Sequence, residues 1–196
     1  MAGIDTWHKL IVSANIAFGV SLDTAAIPAA GIRHITASDV ENFRNHGLVC
    51  KLVSSGNQKG GTFSAYVQPT LFPLGAPEAA VPVNYNLITL VGNTSGRQSF
   101  LGQGAGRYPT AYNVVQDCVD LTNGHGFYCP YGQKVSVSND EKQRYYVRYG
   151  ADPWLQAHTA ESWEQAVITD PVTVDEMHTW LKQHPNAFIA AMLAEV

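Results

Sequence analysis

Apolar residues recur at intervals of three and four along the start of the chain, which is the spacing of one face of an α-helix. This spacing predicts an amphipathic helix from Ile4 to Gly19, since a glycine is typical of a helix end. A second helix is predicted to begin after Thr36, a suitable N-cap that Asp39 can join in a capping box, and to end near Asn45. The chain therefore opens with two helices.

After the second helix the pattern changes to an alternation of apolar and polar residues, which is typical of β-strands. It predicts four strands at Leu48–Ser54, Thr62–Leu71, Asn86–Val91 and Gln98–Leu101. Residues 57–61 are predicted to connect the first two strands as a hairpin. A helical pattern then runs from about Pro109 through Leu121. Together these elements predict a mixed α/β layer structure over residues 1–121.

The rest of the chain is predicted to form a linker and a second module. Residues 122–143 are rich in Gly, Asn, Ser and aromatic residues and are predicted to be the linker. The elements predicted for the module, residues 144–196, are a strand at Arg144–Tyr149, a short helix at Ala160–Gln165, a strand at Ala166–Thr169, a helix at Val174–His184 and an apolar segment at Phe188–Leu193. The predicted fold class is therefore α/β (α+β): a mixed β-sheet flanked by helices, with a small C-terminal α+β module.

Charged residues make up only 14% of the 196 residues, against about 25% in an ordinary globular domain. This low charge predicts that another domain or subunit covers part of the surface. The net charge is −4 with 12 Lys and Arg, which excludes a basic surface for nucleic acid. No apolar stretch is long enough to span a membrane, and the first residues do not form a secretory signal. We therefore expect a cytoplasmic protein.

The cysteines and histidines do not have the spacing of a metal or redox site. Cys50, Cys118 and Cys129 are widely spaced and odd in number, which argues against a disulfide framework and against a cysteine-rich zinc site. The seven histidines lack the His-x-x-x-His and His-Glu-x-x-His spacings of zinc enzymes. We expect these histidines at the surface or at helix caps, and no metal.

Asp5 and Lys9 are a candidate for chemistry because they stand four residues apart on one face of the first predicted helix. Two interpretations are open. The pair is an ordinary surface ion pair worth about 0.3–0.5 kcal/mol, or its carboxylate orients a catalytic lysine or a polar substrate beside it.

The glycine-rich segment Gly102–Gly106 is a second candidate. It is not the Gly-x-Gly-x-x-Gly fingerprint of a dinucleotide-binding fold, because Arg107 stands at the sixth place. Two interpretations again remain. The segment is a tight turn, or it lets another molecule approach the backbone closely, with amide groups that can face an anion.

Three parts of the chain together resemble the homoserine dehydrogenase family. They are Gly3–Leu10 with Ala17–Gly19, Gly31–Asp39 with Lys51–Leu52, and Gly102–Ala111. The first resembles the catalytic helix of that family, the second its next motif, and the third its glycine-rich return toward the cofactor domain. The resemblance covers about Gly3–Leu121.

The resemblance implies a substrate-binding and catalytic domain, also used for dimerisation, of an oxidoreductase. The family reduces L-aspartate 4-semialdehyde to L-homoserine with NADPH or NADH, on the route to threonine and methionine. By motif position, Lys9 would donate and accept the proton at the C4 oxygen of the substrate, and Asp5 would contact the substrate or hold Lys9. Gly104 and Gly106 would lie near the nicotinamide cofactor.

The chain also departs from the family. No nicotinamide-binding domain precedes these motifs, so we expect a fragment whose NADP or NAD is bound mainly by a separate N-terminal domain. Partners would be that domain, the small-molecule substrate and a second copy in a homodimer. Residues 144–196 weakly resemble a shortened ACT-type regulatory module, although Trp154 stands where such modules usually place Gly. The alternative function is a non-catalytic amino-acid-sensing or dimerisation module.

Overall fold

The computed structural model describes residues 2–126 and 132–193. The elements are α1 (Ile4–Phe18), β1 (Val20–Leu22), a 3-10 turn (Thr24–Ala26), α2 (Ala37–Asn45), β2 (Leu48–Lys59), β3 (Thr62–Pro73), β4 (Tyr85–Gly92), β5 (Gly96–Gln103), α3 (Arg107–Thr122), β6 (Gln133–Val135), β7 (Lys142–Arg148), α4 (Pro153–Ala157), β8 (Thr159–Trp163), β9 (Ala166–Thr169), β10 (Val172–Thr173), α5 (Val174–Gln183) and β11 (Phe188–Met192). They belong to two compact units, one formed by Met1–Leu74 with Pro130–Val196 and the other by Gly75–Cys129.

The first unit is built on a seven-stranded sheet in the order β2-β3-β11-β7-β9-β8, with β10 paired beside them to β7. Strands β3 and β11 run parallel, with Ala191 opposite Thr70, and the other described pairs of this sheet are antiparallel. A mixed sheet of this kind needs cover on both faces wherever its strands are apolar on both sides.

Helices provide that cover. Successive residues of a strand point to opposite faces, and on β7 Tyr145 packs with Met177 and Trp180 of α5. Its neighbour Tyr146 packs with Phe43 of α2. The predicted fold class, a mixed β-sheet flanked by helices, is confirmed.

A buried carboxylate ties α2 to β7. Asp39 is fully buried and closes the predicted capping box, because its Oδ2 accepts from the backbone N–H and the hydroxyl of Thr36, each at 2.7 Å. The Tyr146 hydroxyl and the Arg148 guanidinium donate to Oδ1, each over 2.8 Å. Burial raises the pKa of Asp39, but the hydrogen bonds from Arg148, Thr36 and Tyr146 outweigh burial and lower the pKa overall.

The compact units differ from the division predicted from the sequence into 1–121, a linker at 122–143 and a module at 144–196. Residues 144–193 do not form a sheet of their own, because the apolar strand β11 pairs with β3 on one side and β7 on the other. Within the predicted linker, residues 127–131 lie outside the described residues. Further along it, β6 pairs with β1 and the buried Asn139 accepts a hydrogen bond from the backbone of Ala65 at 2.9 Å.

The predicted short helix at Ala160–Gln165 is wrong. These residues form β8 and the turn of a hairpin with β9, in which Glu164 has a positive φ of 45°. Ala, Glu and Gln favour helix, but pairing with the buried strand β9 outweighs this weak local preference.

The elements from β7 to β11 nevertheless follow a recognisable order. They run β7-α4-β8-β9-α5-β11, with the two-residue β10 before α5, and their strands lie in the order β11-β7-β9-β8. This is a ferredoxin-like β-α-β-β-α-β arrangement. The ACT-like character of the segment stays a prediction.

The second unit consists of a hairpin and a helix. Strands β4 and β5 pair in antiparallel register with Ile88 opposite Phe100, and α3 follows. These elements contain the predicted strands and helix of this region. Among the described helices of the chain, none is both long and apolar enough to cross a membrane.

Candidate active site

Helix α1, which carries Asp5 and Lys9, is fixed at its start by backbone and indole contacts. Gly3 precedes it with a left-handed φ of 84°, and a Cβ placed there would come within 3.4 Å of the Ala30 carbonyl oxygen. The Trp7 indole N–H donates to the carbonyl of Ile27 at 3.1 Å. A glycine is therefore favoured before the helix, where the chain approaches another backbone closely.

One face of α1 packs onto the sheet. Leu10 and Ala14 are buried in a cluster with Phe63, Ala65 and Val67 of β3. Helix residues three and four apart lie on one face, so this packing turns the opposite face, with Asp5 and Lys9, outward. The amphipathic helix predicted from the sequence is confirmed.

Asp5 and Lys9 form an ion pair on the outward face. The Lys9 Nζ lies 2.9 Å from the Asp5 Oδ2, and the side chains are 62% and 83% exposed. An exposed pair of this kind adds at most about 1 kcal/mol to stability. Its geometry is nevertheless compatible with chemistry, because an ammonium group lies beside a carboxylate and is open to an incoming molecule.

The surroundings of the pair are unusually apolar for an exposed helix face. Ile4 is 56%, Val12 58% and Ile16 46% exposed on the same outward side of α1. A helix face that stays in contact with water is normally polar. This mixture of apolar and charged side chains is typical of a protein surface that another domain or subunit covers.

The glycine turn joins β5 to α3 in the second unit. Gly106 is the N-cap of α3 with a φ of 125° and no capping side chain, which leaves the first amides of the helix without a side-chain acceptor. At Gly104 an added Cβ would collide with the carboxamide of Asn86. The first amides of α3 are thus available to an acceptor, whereas no described strand and helix carry the Gly-x-Gly-x-x-Gly turn that holds a pyrophosphate.

The structure brings together two of the four predicted site residues. Asp5 and Lys9 are in contact in the first unit, whereas Gly104 and Gly106 belong to the second. Sequence reasoning missed Trp7 as the anchor of α1 and Asn86 as the neighbour of Gly104. Neither contact has a signal in local spacing, because each joins residues about twenty positions apart.

The cysteines and histidines are the remaining candidates for chemistry. No group of three or more His, Cys, Asp or Glu able to hold a metal occurs within residues 2–126 and 132–193. Cys50 and Cys118 are free thiols, and burial raises the pKa of Cys50 to about 12. Cys129 lies outside the described residues. His46, His158 and His184 are helix C-caps as predicted, but His178 is buried within α5 and contradicts the expectation that the histidines lie at the surface or at caps.

Solved structures that share this fold include two homoserine dehydrogenases. The Thiobacillus denitrificans enzyme matches 97% of this chain with a TM-score of 0.73 and 22% identity, over 53% of its own length. The Staphylococcus aureus enzyme matches the whole chain with a TM-score of 0.68 and 19% identity, over 54% of its own length. At these identities the likeness shows the fold.

The sequence comparisons identify the family. The family model for homoserine dehydrogenase matches residues 1–119, and the chain belongs to that family of oxidoreductases. The Bacillus subtilis homoserine dehydrogenase is 33% identical over 117 residues, 60% of this chain and 27% of the relative. The Lactococcus lactis enzyme is 34% identical over 153 residues, 74% of this chain and 36% of the relative. The chain therefore spans about a third of the length of these curated relatives.

Proposed function

We propose that this chain is the substrate-binding and catalytic part of a homoserine dehydrogenase that interconverts L-aspartate 4-semialdehyde and L-homoserine in threonine and methionine biosynthesis. The observation that carries the proposal is the contact of Lys9 with Asp5 at 2.9 Å on the outward face of α1. This helix lies within the segment that the family model matches. We expect the enzyme to act in the cytoplasm.

Lys9 is the acid and base in this proposal. A reduced nicotinamide cofactor, when bound, supplies the hydride to the aldehyde carbon. Negative charge then develops on the substrate oxygen, where the Lys9 ammonium stabilises it and donates a proton. In the reverse direction a neutral Lys9 accepts the hydroxyl proton of homoserine. Asp5 holds the ammonium in place and contacts the amino-acid substrate.

NADP or NAD is held mainly by a nicotinamide-binding domain outside this chain. Within the chain, Gly104 and Gly106 are the proposed contacts, since the uncapped start of α3 leaves amide groups free to face an acceptor. The glycine turn reaches only one end of the cofactor in this proposal, so its contribution to binding is weak.

Helix α3 is the proposed surface for the nicotinamide-binding domain. None of its residues is buried. Its apolar side chains occupy two adjacent stripes at helical spacing, Tyr108, Tyr112, Val115 and Val119 in one and Ala111, Val114, Cys118 and Leu121 in the other. Roughly half of the helix surface is therefore apolar and exposed, as is typical of a helix that packs against a partner.

The β4–β5 hairpin is the proposed contact between two copies. Ile88, Leu90 and Phe100 share one side of the hairpin and are 50–58% exposed. A two-stranded hairpin with apolar side chains this exposed is marginally stable in water. Pairing across a two-fold axis would cover this side, and two-fold dimers are the commonest closed assembly.

The test of the proposal is a lysine substitution in the enzyme completed with the N-terminal part of a full-length relative. Lys9→Ala should lower kcat by about 10²–10⁴-fold, the usual contribution of a positioned acid or base. Lys59→Ala, at the exposed end of β2, is the matched control and should leave kcat unchanged. Asp5→Ala should raise KM for the amino-acid substrate and lower kcat. A Lys9→Ala enzyme with near-normal kcat would contradict the assignment.

The 196-residue chain alone provides a second test. It should fold cooperatively but show no homoserine oxidation and no NADPH binding at submillimolar concentration, because most cofactor contacts belong to the missing domain. Calorimetric titration with NADPH, beside an oxidation assay, measures both. Tight binding or turnover would mean that the glycine turn is a complete cofactor site. Binding of an amino acid without activity in the completed enzyme would favour the alternative, a sensing module.

A further inference from the structure

Helices α4 and α5 of the first unit each end in a histidine that stacks on a tryptophan one turn earlier. In α4, His158 stacks on Trp154 with ring centroids 4.4 Å apart, and its Nδ1 lies 2.8 Å from the Trp154 carbonyl oxygen. In α5, His184 stacks on Trp180 at 4.3 Å, and its Nδ1 lies 2.8 Å from the Trp180 carbonyl oxygen. The two tryptophans stack on each other at 5.8 Å, so the four rings form one continuous series, called here the ring stack.

A single carboxylate joins this ring stack to the chain before α4. Asp152 is the N-cap of α4, where its Oδ1 accepts the backbone N–H of Leu155 at 2.8 Å. The same oxygen accepts the Trp180 indole N–H at 3.0 Å, and Oδ2 lies 3.3 Å from the Nε2 of His184. The Asp152 and His184 side chains are only 14% and 17% exposed. Asp152 thus connects the start of α4 with the end of α5.

The protonation state of His184 decides whether its contact with Asp152 attracts or repels. The Trp180 carbonyl can only accept, so the Nδ1 of His184 must carry a hydrogen. In the neutral ring Nε2 then presents a lone pair to the carboxylate. When Nε2 takes a proton from solvent, the same contact becomes a charge-assisted hydrogen bond. Both contacts of this histidine are therefore satisfied only in its charged form.

We propose that Asp152 and His184 form a pH-dependent latch that fastens the turn at residues 149–152 to the end of α5. The latch is closed when the His184 ring carries a hydrogen on both nitrogens, and it loosens when the ring is neutral. The carboxylate half persists into acid, because the backbone N–H of Leu155 and the indole of Trp180 lower the pKa of Asp152. The turn is one wall of a pocket of about 310 Å³, whose other wall is the β8–β9 hairpin. Closing the latch fixes that wall.

His184 faces groups from three parts of the first unit. From the turn before α4 it faces Asp152, and from the end of β7 the ring of Tyr149 meets it edge-on at 4.8 Å. On its own helix it faces Trp180, and Lys182 is the nearest charged residue along the chain. Asp152 is the carboxylate that contacts it among the described residues.

His158 is a matched control within the same molecule. It has the same stacking and the same Nδ1 contact as His184, but no ion pair of its Nε2 with a carboxylate occurs in the described part of the chain. Substitution of either histidine by glutamine removes one imidazole ring from the end of a helix. Only the change at position 184 removes the partner of Asp152.

The experiment is amide hydrogen exchange of the 196-residue chain, measured by NMR near about pH 5.5 and about pH 8 and corrected for intrinsic rates. The amide of Leu155, which donates to Asp152, should be protected roughly three- to tenfold more at the lower pH. His184→Gln should abolish this dependence, whereas His158→Gln should retain it. Asp152→Asn should also abolish it while preserving the helix cap, since Asn caps helices as well as Asp.

Three outcomes would overturn the latch. Protection of Leu155 that does not change with pH in the unmodified chain would do so. A pH dependence that survives His184→Gln would assign it to another group. Equal loss in His158→Gln and His184→Gln would assign it to the ring stack as a whole. If His184→Gln does not fold, Asp152→Asn decides the question, because retained dependence in that variant contradicts the latch.

Discussion

Both compact units contain amphipathic strands and helices, but only the first buries their apolar sides. Ile168 on β9 in the first unit is 1% exposed, whereas Ile88 on β4 in the second is 58% exposed. No residue in the described range 75–126 is buried. Burial of apolar surface is the main favourable contribution to folding, so the first unit carries the stability of the chain. The second unit leaves large apolar side chains such as Ile88 and Phe100 exposed.

The largest expected effect is the difference in unfolding free energy between the same isoleucine-to-alanine substitution made in the first unit and in the second. Ile168→Ala should lower the free energy of unfolding by about 2–5 kcal/mol, because it leaves a cavity in a closed core. Ile88→Ala should change it by about 0.5 kcal/mol or less, because its side chain is already in water. Chemical denaturation of both variants measures the difference. Equal losses would show that the hairpin has its own core and would remove the contrast between the units.

The core of the first unit should also weaken in acid through His178. Burial lowers the pKa of His178, on α5, to about 4, while its ordinary value is 6.5. The unfolded chain therefore binds this proton more readily than the folded one. The contribution to stability is fully present above pH 6.5 and is lost as the pH falls to about 4, a total of about 3 kcal/mol.

The variant His178→Gln isolates this contribution. It keeps a group that can donate a hydrogen bond to the Gln68 side-chain oxygen, which lies 3.1 Å from the His178 Nε2. Denaturation near about pH 7 and about pH 4.5 should show a smaller loss in the variant than in the unmodified chain. If the two lose stability equally, this histidine is not kept neutral by the core.

The smallest effect concerns the hairpin of the second unit. Light scattering should show a dimer at high micromolar concentration, and Ile88→Gln with Phe100→Gln should shift it toward monomer with little change in the unfolding free energy. The matched control replaces Val40, an exposed residue of α2 in the first unit, by Gln. A monomer in the unmodified chain would contradict the proposed contact between two copies.

Local patterns in the sequence were sufficient for the elements that depend on near neighbours. The capping box of Thr36 and Asp39 and the helix at Val174–Gln183 are present where they were predicted, because caps and helical spacing act within a few residues. The same is true of the contact between Asp5 and Lys9. The two residues lie one turn apart on α1, and this helical spacing alone brings their side chains together.

Features that depend on distant residues were missed, because a local pattern in the sequence carries no information about them. Asp39 was predicted as a cap, but its hydrogen bonds from Tyr146 and Arg148 cross more than a hundred positions. The residues of β8 were predicted to be helical because Ala, Glu and Gln favour helix. Their pairing with β9 outweighs this preference. The pairing of β1 with β6 joins two segments of three residues each, too short for an alternating pattern to be visible.

The insertion of β11 between β3 and β7 has a consequence for synthesis of the protein on the ribosome. Strands β3 and β7 are made first, and each exposes an open edge toward the place that β11 will take. Unpaired edges of this kind readily join the strands of other nascent chains. The sheet can close only after residues 188–192 have left the ribosome, so the edges of β3 and β7 stay open to wrong pairing while the stretch between β7 and β11 is translated.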